Sequence, residues 1–251
     1  MKKPILIGNW KNKPGSLGEA RSILIGLRKK SAVFKKLDTY IAPPEVYYES
    51  VSERVKGFAH LASQGLPRVE KGTYTGVISL EVLRNFGVRL AILGHSEERA
   101  LGETDALVAK KVQIALKSGI KPLVCIGERE HDTDGNHLEF IRRQMKTSLE
   151  GVKKKEIAEI MIAYEPVWAI GKRAKDAITP EGLTEMVIFI RRILTDMYGR
   201  DIAEKIPILY GGSVEPRNAE ILYKDTGVRG FLVGHESLNH KEFEQIAESL
   251  I

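Results

Sequence analysis

The chain predicts an α/β fold, a single (β/α)8 barrel over residues 1–251, on three observations. Eight apolar runs of strand length recur along it, helix-like stretches separate them, and polar residues gather just after the runs. Spread over 251 residues, eight units come to about 31 residues each, the size of one βα repeat. A doubly wound open sheet is the rival. It would want a glycine fingerprint after the first strand, and Gly8-Asn9-Trp10-Lys11 does not supply it.

The expected strands are 5–8, 39–42, 58–62, 90–93, 122–126, 160–164, 207–210 and 230–233. Their apolar residues run on without polar alternation, as in parallel strands covered on both faces. Between the first two, residues 16–31 place Leu17, Ala20, Ile23, Leu24 and Leu27 on one helical face. Residues 103–118 repeat the pattern with Leu107, Val108, Val112, Ala115 and Leu116, and Gly119 is a C-terminal stop. Thr179-Pro180-Glu181 reads as an N-cap, a first-turn proline and a first-turn acid, opening a helix that Gly199 ends. The long loop is 64–76; no linker or low-complexity tract interrupts the rest.

Composition narrows the function. Hydrophobic residues make up 43% and charged residues 29%, ordinary for a globular protein and unlike a disordered chain, a collagen or a coiled coil. The formal net charge of +6 permits an anionic partner. No basic block is interleaved with aromatics, so nucleic acid is not expected, and Lys153-Lys154-Lys155 reads as an exposed loop. One cysteine, Cys125, excludes an internal disulfide and any multi-thiolate zinc site, and fits a cytoplasmic location. No stretch reaches the roughly 18 apolar residues of a membrane span, and residues 5–8 are too short for a signal peptide, so no membrane role is expected.

In a barrel, the chemistry belongs at the carboxyl ends of the strands. Here those ends carry Asn9-Trp10-Lys11, Gly94-His95-Ser96-Glu97, Glu165-Pro166-Val167-Trp168, Gly211-Gly212-Ser213 and Gly234-His235-Glu236-Ser237. Each alone has an ordinary structural reading: a solvated lysine, a hydrogen-bonded histidine, a capping glutamate, a turn. Together they put a cation, an imidazole, a carboxylate and two glycine-containing loops on one rim. A carboxylate base, an imidazole donor to a carbonyl oxygen and a lysine beside a developing oxyanion suit proton transfer. Backbone N–H groups near Ser213 and Gly234 suit a phosphate.

These segments, with Tyr74-Thr75-Gly76, Cys125-Ile126-Gly127-Glu128, Ala163-Tyr164-Glu165-Pro166-Val167-Trp168-Ala169-Ile170-Gly171 and Tyr210-Gly211-Gly212-Ser213-Val214, resemble the triosephosphate isomerase family over nearly the whole chain. The resemblance implies a TIM barrel that interconverts dihydroxyacetone phosphate and D-glyceraldehyde 3-phosphate through an enediol(ate), in glycolysis and gluconeogenesis. It implies Glu165 as the base, His95 as a neutral imidazole polarising the carbonyl, and Lys11 stabilising the enediolate. Asn9 would orient the substrate and Glu97 would position Lys11. Gly171, Ser213 and Gly234 would offer N–H groups to the phosphate, with His235 beside them. Ser96 and Cys125 would support the site, Cys125 as a packed thiol rather than a nucleophile. Segment 166–175 would be a lid, with Trp168 in its hinge. No cofactor or metal is implied. The partner implied is a second copy of the chain, through loop 64–76 including Thr75.

Four places depart from the family pattern. Lys11-Asn12-Lys13-Pro14 replaces a loop that normally faces the partner subunit. Val77 and Glu98 stand where the family has a glutamate and an arginine paired across the dimer, which leaves Arg99 as a substitute for the arginine and Val77 as an apolar contact. The far hinge, Lys172-Arg173-Ala174-Lys175-Asp176-Ala177, is about two residues long for the family. Gly234-His235 stands for Gly-Gly, at a cost if a positive φ is needed there.

Other readings are weaker on this sequence. A Schiff-base aldolase would want a lysine inside the barrel where Glu165 stands, and a barrel metallohydrolase would want His-x-His on the first strand. A barrel kept only for binding would have no need of Lys11, His95 and Glu165 together.

Overall fold

The computed structural model describes residues 3–70, 72, 74–169 and 178–251. Eight parallel strands close into a barrel in chain order. They are β1 (Ile5–Asn9), β2 (Asp38–Ala42), β3 (His60–Ser63), β4 (Leu90–Leu93), β5 (Lys121–Ile126), β6 (Met161–Tyr164), β7 (Ile208–Tyr210) and β8 (Gly230–Val233). Around them run α1 (Leu17–Lys29), α2 (Ser31–Phe34), α3 (Tyr48–Val55), α4 (Leu80–Asn85), α5 (Ser96–Ala100), α6 (Asp105–Lys117), α7 (Asn136–Ser148), α8 (Pro180–Tyr198), α9 (Arg200–Ala203), α10 (Pro216–Asp225) and α11 (His240–Glu248).

The unalternating strand runs are explained by two apolar layers. Ile5, Ile7, Tyr40, Ile92, Leu123, Cys125, Ala163 and Leu209 fill the barrel interior. Leu6, Ile41, Ala91, Leu93, Val124, Ile162 and Ile208 face outward onto the helices. Successive strand residues point to opposite faces, so a strand covered on both sides has no position left for a polar residue.

Closure depends on β1 meeting β8, with Ile5 opposite Gly230. Gly230 has φ of 145°, and a Cβ there would lie 1.7 Å from the Ile5 carbonyl oxygen. Glycine alone satisfies both demands.

The helix ends follow their capping residues. Ser16, Thr104 and Thr179 each accept a backbone N–H in the first turn of α1, α6 and α8. Gly119 and Gly199 follow the ends of α6 and α8 at φ of 70° and 91°. Strand β3 begins two residues later than the apolar run from Phe58. Phe58 and Ala59 both donate to Val55 O, so they are still turning out of α3.

Candidate active site

At the end of β1, Asn9 is buried and its Oδ1 accepts the Lys11 N–H at 3.0 Å. Lys11 has φ of 53°, rare for a side-chain-bearing residue and costly unless its surroundings hold it. Gln64, just past β3, does so: its amide donates to Lys11 O at 2.6 Å and to Ala42 O at 3.0 Å. The bend sends the Lys11 ammonium to Glu97 Oε1, 2.7 Å away.

His95 follows β4 and caps α5. Its Nδ1 accepts the Glu97 N–H at 3.3 Å. A ring nitrogen that accepts carries no proton, so in the neutral ring the proton sits on Nε2. That Nε2 faces Glu165 Oε1 at 3.4 Å.

Glu165 follows β6 and is 1% exposed. Its Oε2 accepts the Ser96 N–H at 3.1 Å, while Oε1 has no hydrogen-bond donor among the described residues. Two glycines make room for it. A Cβ on Gly127 would lie 1.7 Å from Glu165 O, and one on Gly211 would lie 2.8 Å from Glu165 Cγ. Cys125 sits beneath, fully buried. Burial first, then the neighbouring Glu165 carboxylate, pushes its thiol well up, so it stays protonated and inert.

The two glycine-containing loops close the rim. A Cβ on Gly234 would lie 3.6 Å from Lys11 Cε, so this loop runs beside the ammonium. His235 is exposed and begins the short turn His235–Leu238. It does not have a positive φ, so the backbone cost expected for a side chain there does not arise. Ser213 Oγ donates to Ala169 O at 3.1 Å, and Asn218 holds Ser213 O at 3.0 Å. The structure thus brings Asn9, Lys11, His95, Ser96, Glu97, Cys125, Glu165, Ser213 and Gly234 to one end of the barrel, with His235 at its edge. Gly171, the rest of the expected lid beyond Ala169 and the far hinge 172–177 lie outside the described residues.

One expectation is corrected. Arg99 does not replace the missing interface arginine. Its guanidinium donates to Gly94 O at 2.6 Å and Cys125 O at 3.1 Å, and pairs with Asp105. It braces β4 against β5 inside the chain, while Glu98 is exposed.

Several supporting residues carry no local sequence signal. Gln64 and Arg99 are two. Gln144 holds the Gly127 N–H at 2.8 Å, and Glu103 holds the Gly94 N–H at 2.8 Å while pairing with buried Lys111. For the last pair a charge pattern was available, an acid and a lysine eight residues apart along an apolar face.

Comparison with known proteins agrees with this geometry. The sequence matches the family described as "Triosephosphate isomerase" over residues 4–250. It is 40% identical to a triosephosphate isomerase of Roseiflexus castenholzii, covering all of this chain and 98% of the relative. It is 41% identical to one of Rhodopirellula baltica, covering 99% and 98%, and 38% identical to one of Caldanaerobacter subterraneus subsp. tengcongensis, covering 98% and 99%. With a closed eight-stranded barrel and a match along nearly its whole length, the chain belongs to the triosephosphate isomerase family.

Proposed function

We propose that the protein interconverts dihydroxyacetone phosphate and D-glyceraldehyde 3-phosphate, with Glu165, His95 and Lys11 as its catalytic residues. Family membership makes it an aldose–ketose isomerase. The observation that carries the residue assignment is the approach of Glu165 Oε1 to His95 Nε2 at 3.4 Å. A base and a hydrogen-bond donor then meet over one small region of the rim, with the Lys11 ammonium on the same end of the barrel.

In this mechanism the Glu165 carboxylate removes a proton from C1 of the ketose. The C–H electrons form a C1–C2 double bond, and the carbonyl pair moves onto O2. His95 Nε2–H donates to the oxygen as its charge grows, and the Lys11 ammonium stabilises the resulting enediolate. Glu165 then returns the proton to C2 as the C1–C2 double bond opens. The O1 proton passes to O2 by way of His95 Nε2, so that the pair left on O1 forms the aldehyde carbonyl and O2 becomes the hydroxyl. Asn9 orients the substrate through its hold on Lys11. Ser96 supports the base by donating its N–H to the Glu165 oxygen turned away from His95. No electrons leave the substrate, so the chemistry needs no redox cofactor.

The phosphate is held by N–H groups of Gly171, Ser213 and Gly234, with His235 at the mouth of the site. Segment 166–175 closes over it and excludes water, which limits loss of phosphate from the enediolate. Ser213 supports this arrangement by joining the loop after β7 to Ala169.

The chain is read as one barrel domain acting in glycolysis in the cytoplasm. Among the described residues, no helix is long and apolar enough to cross a membrane. The partner is a second copy. Val46, Tyr74, Val77, Val82 and Leu101 are exposed apolar residues on the segments after β2, β3 and β4, and they support an association through loop 64–76 and Thr75.

The test is turnover of D-glyceraldehyde 3-phosphate by the purified protein beside Glu165→Gln. Loss of the base is expected to lower kcat by about 10²–10⁴-fold. A folded wild type without isomerase activity would overturn the assignment.

A further inference from the structure

Beyond β5, Glu128 is 1% exposed, and three groups converge on a single one of its oxygens. Tyr164 Oη donates to Oε1 at 2.9 Å, Trp168 Nε1–H donates to it at 2.7 Å, and His131 Nδ1 lies 3.3 Å from it. Glu128 also accepts the Val167 N–H on its backbone oxygen at 2.9 Å. Both ends of this residue therefore hold the turn Val167–Ala169, the chain that leaves Glu165. Burial, then the Glu128 charge, pushes the Tyr164 phenol far up, so Tyr164 remains a donor.

His131 is the least enclosed of the three groups, with 43% of its side chain exposed, yet its ring is braced on both sides. The His137 ring lies 4.0 Å away between centroids, tilted by 37°, and the Trp168 indole lies 5.4 Å away, tilted by 50°. His137 opens α7 and is itself 9% exposed, with Nδ1 3.8 Å from Asp132 Oδ2. Asp132 accepts the N–H groups of Asp134, Asn136 and His137, and against the raising effect of burial these bonds hold its carboxyl below the ordinary range. A relay of packed rings thus runs from α7 through His137 and His131 to Glu128 and Trp168.

We propose that His131 is a positioning residue for the isomerisation: its Nδ1–H donates to Glu128 Oε1 and its ring flanks Trp168, fixing the near end of the segment that follows Glu165. Glu128 Oε2 has no protein donor among the described residues, so the groups on Oε1 alone hold the carboxylate against rotation about its Cγ–Cδ bond. The groups facing the His131 ring are the Glu128 carboxylate, the His137 imidazole with the Asp132 carboxylate behind it, and the Trp168 indole. The role rests on the function proposed above.

The test compares His131→Ala with His131→Asn, whose amide nitrogen reproduces the Nδ1 donor. Alanine is expected to lower kcat about 3–10-fold with KM moved less than about twofold, and asparagine to recover most of the loss, as expected for displaced catalytic geometry. Wild-type kinetics in the alanine variant, or equal impairment of both variants, would overturn the role. Tryptophan emission at one fixed pH reads the contact without any turnover: removing the ring that lies 5.4 Å from Trp168 should change it in His131→Ala. Emission unchanged in that variant would sink the contact itself. A wild type that shows the contact but does not isomerise would sink the function and this role with it.

Discussion

The two oxygens of Glu165 have different neighbours: Oε2 rests on the Ser96 N–H at 3.1 Å, while Oε1 points at His95 Nε2 from 3.4 Å. One carboxylate is thus parked and aimed at once. Its position is set from below by two missing side chains, at Gly127 and Gly211.

Gly211→Ala should move the base without unfolding the barrel. Gly211 does not have a positive φ, so alanine suits its backbone, and its N–H bond to Tyr164 O survives. The new methyl would lie 2.8 Å from Glu165 Cγ and 3.3 Å from its Oε1. Displacing a catalytic group by a fraction of an ångström to 1 Å is expected to lower kcat/KM by about 10–100-fold. Steady-state kinetics beside a thermal melt check this, and kcat/KM within about twofold of wild type would count against the geometry.

Glu236 links stability to pH. Burial first, then Glu242 and Glu215, raises its carboxyl above the ordinary 4.5, while His235 lowers it. A raised acid favours the folded state when protonated, so its contribution is present below 4.5 and lost as pH rises through the folded value. Glu236→Gln should therefore raise Tm near neutral pH, by an amount that shrinks as pH falls toward about 4. Melts of both proteins across that range decide it; a gain independent of pH would show that charge is not the cause.

Association through loop 64–76 should depend on Val77, which is 46% exposed in the single chain beside Tyr74 at 55%. Light scattering is expected to give twice the 28.0 kDa chain mass, and Val77→Glu to shift the protein toward a single chain. A wild type that scatters as one chain would remove the dimer from the proposal.

The barrel was readable because burial on both strand faces leaves unbroken apolar runs, and the polar residues that end them are then confined to one rim. Lys11, His95 and Glu165 could be placed on that rim from spacing alone. Their supports could not. Gln64 holds a carbonyl 53 residues away, and Arg99 reaches Cys125 O across 26. Such contacts exist only once the strands have closed, and nothing local to either residue marks them. Arg99 shows the cost of reading by position: next to Glu98 it stood as the substitute for an arginine paired across the dimer, whereas α5 turns its guanidinium inward. Glu128 was visible as part of a motif, but the convergence of Tyr164, Trp168 and His131 on one oxygen was not.

The bridge made by Gln64 has a consequence for loop exchange. Lys11 keeps its unfavourable φ of 53° because a side chain from the first position of loop 64–76 grips its carbonyl. A graft that swaps residues 65–76 for a loop of another length leaves that grip in place. A graft that starts one residue earlier removes it, and the lysine is then free to relax away from the rim. The boundary between interchangeable scaffold and reaction centre falls between Gln64 and Gly65, inside what looks like a single loop.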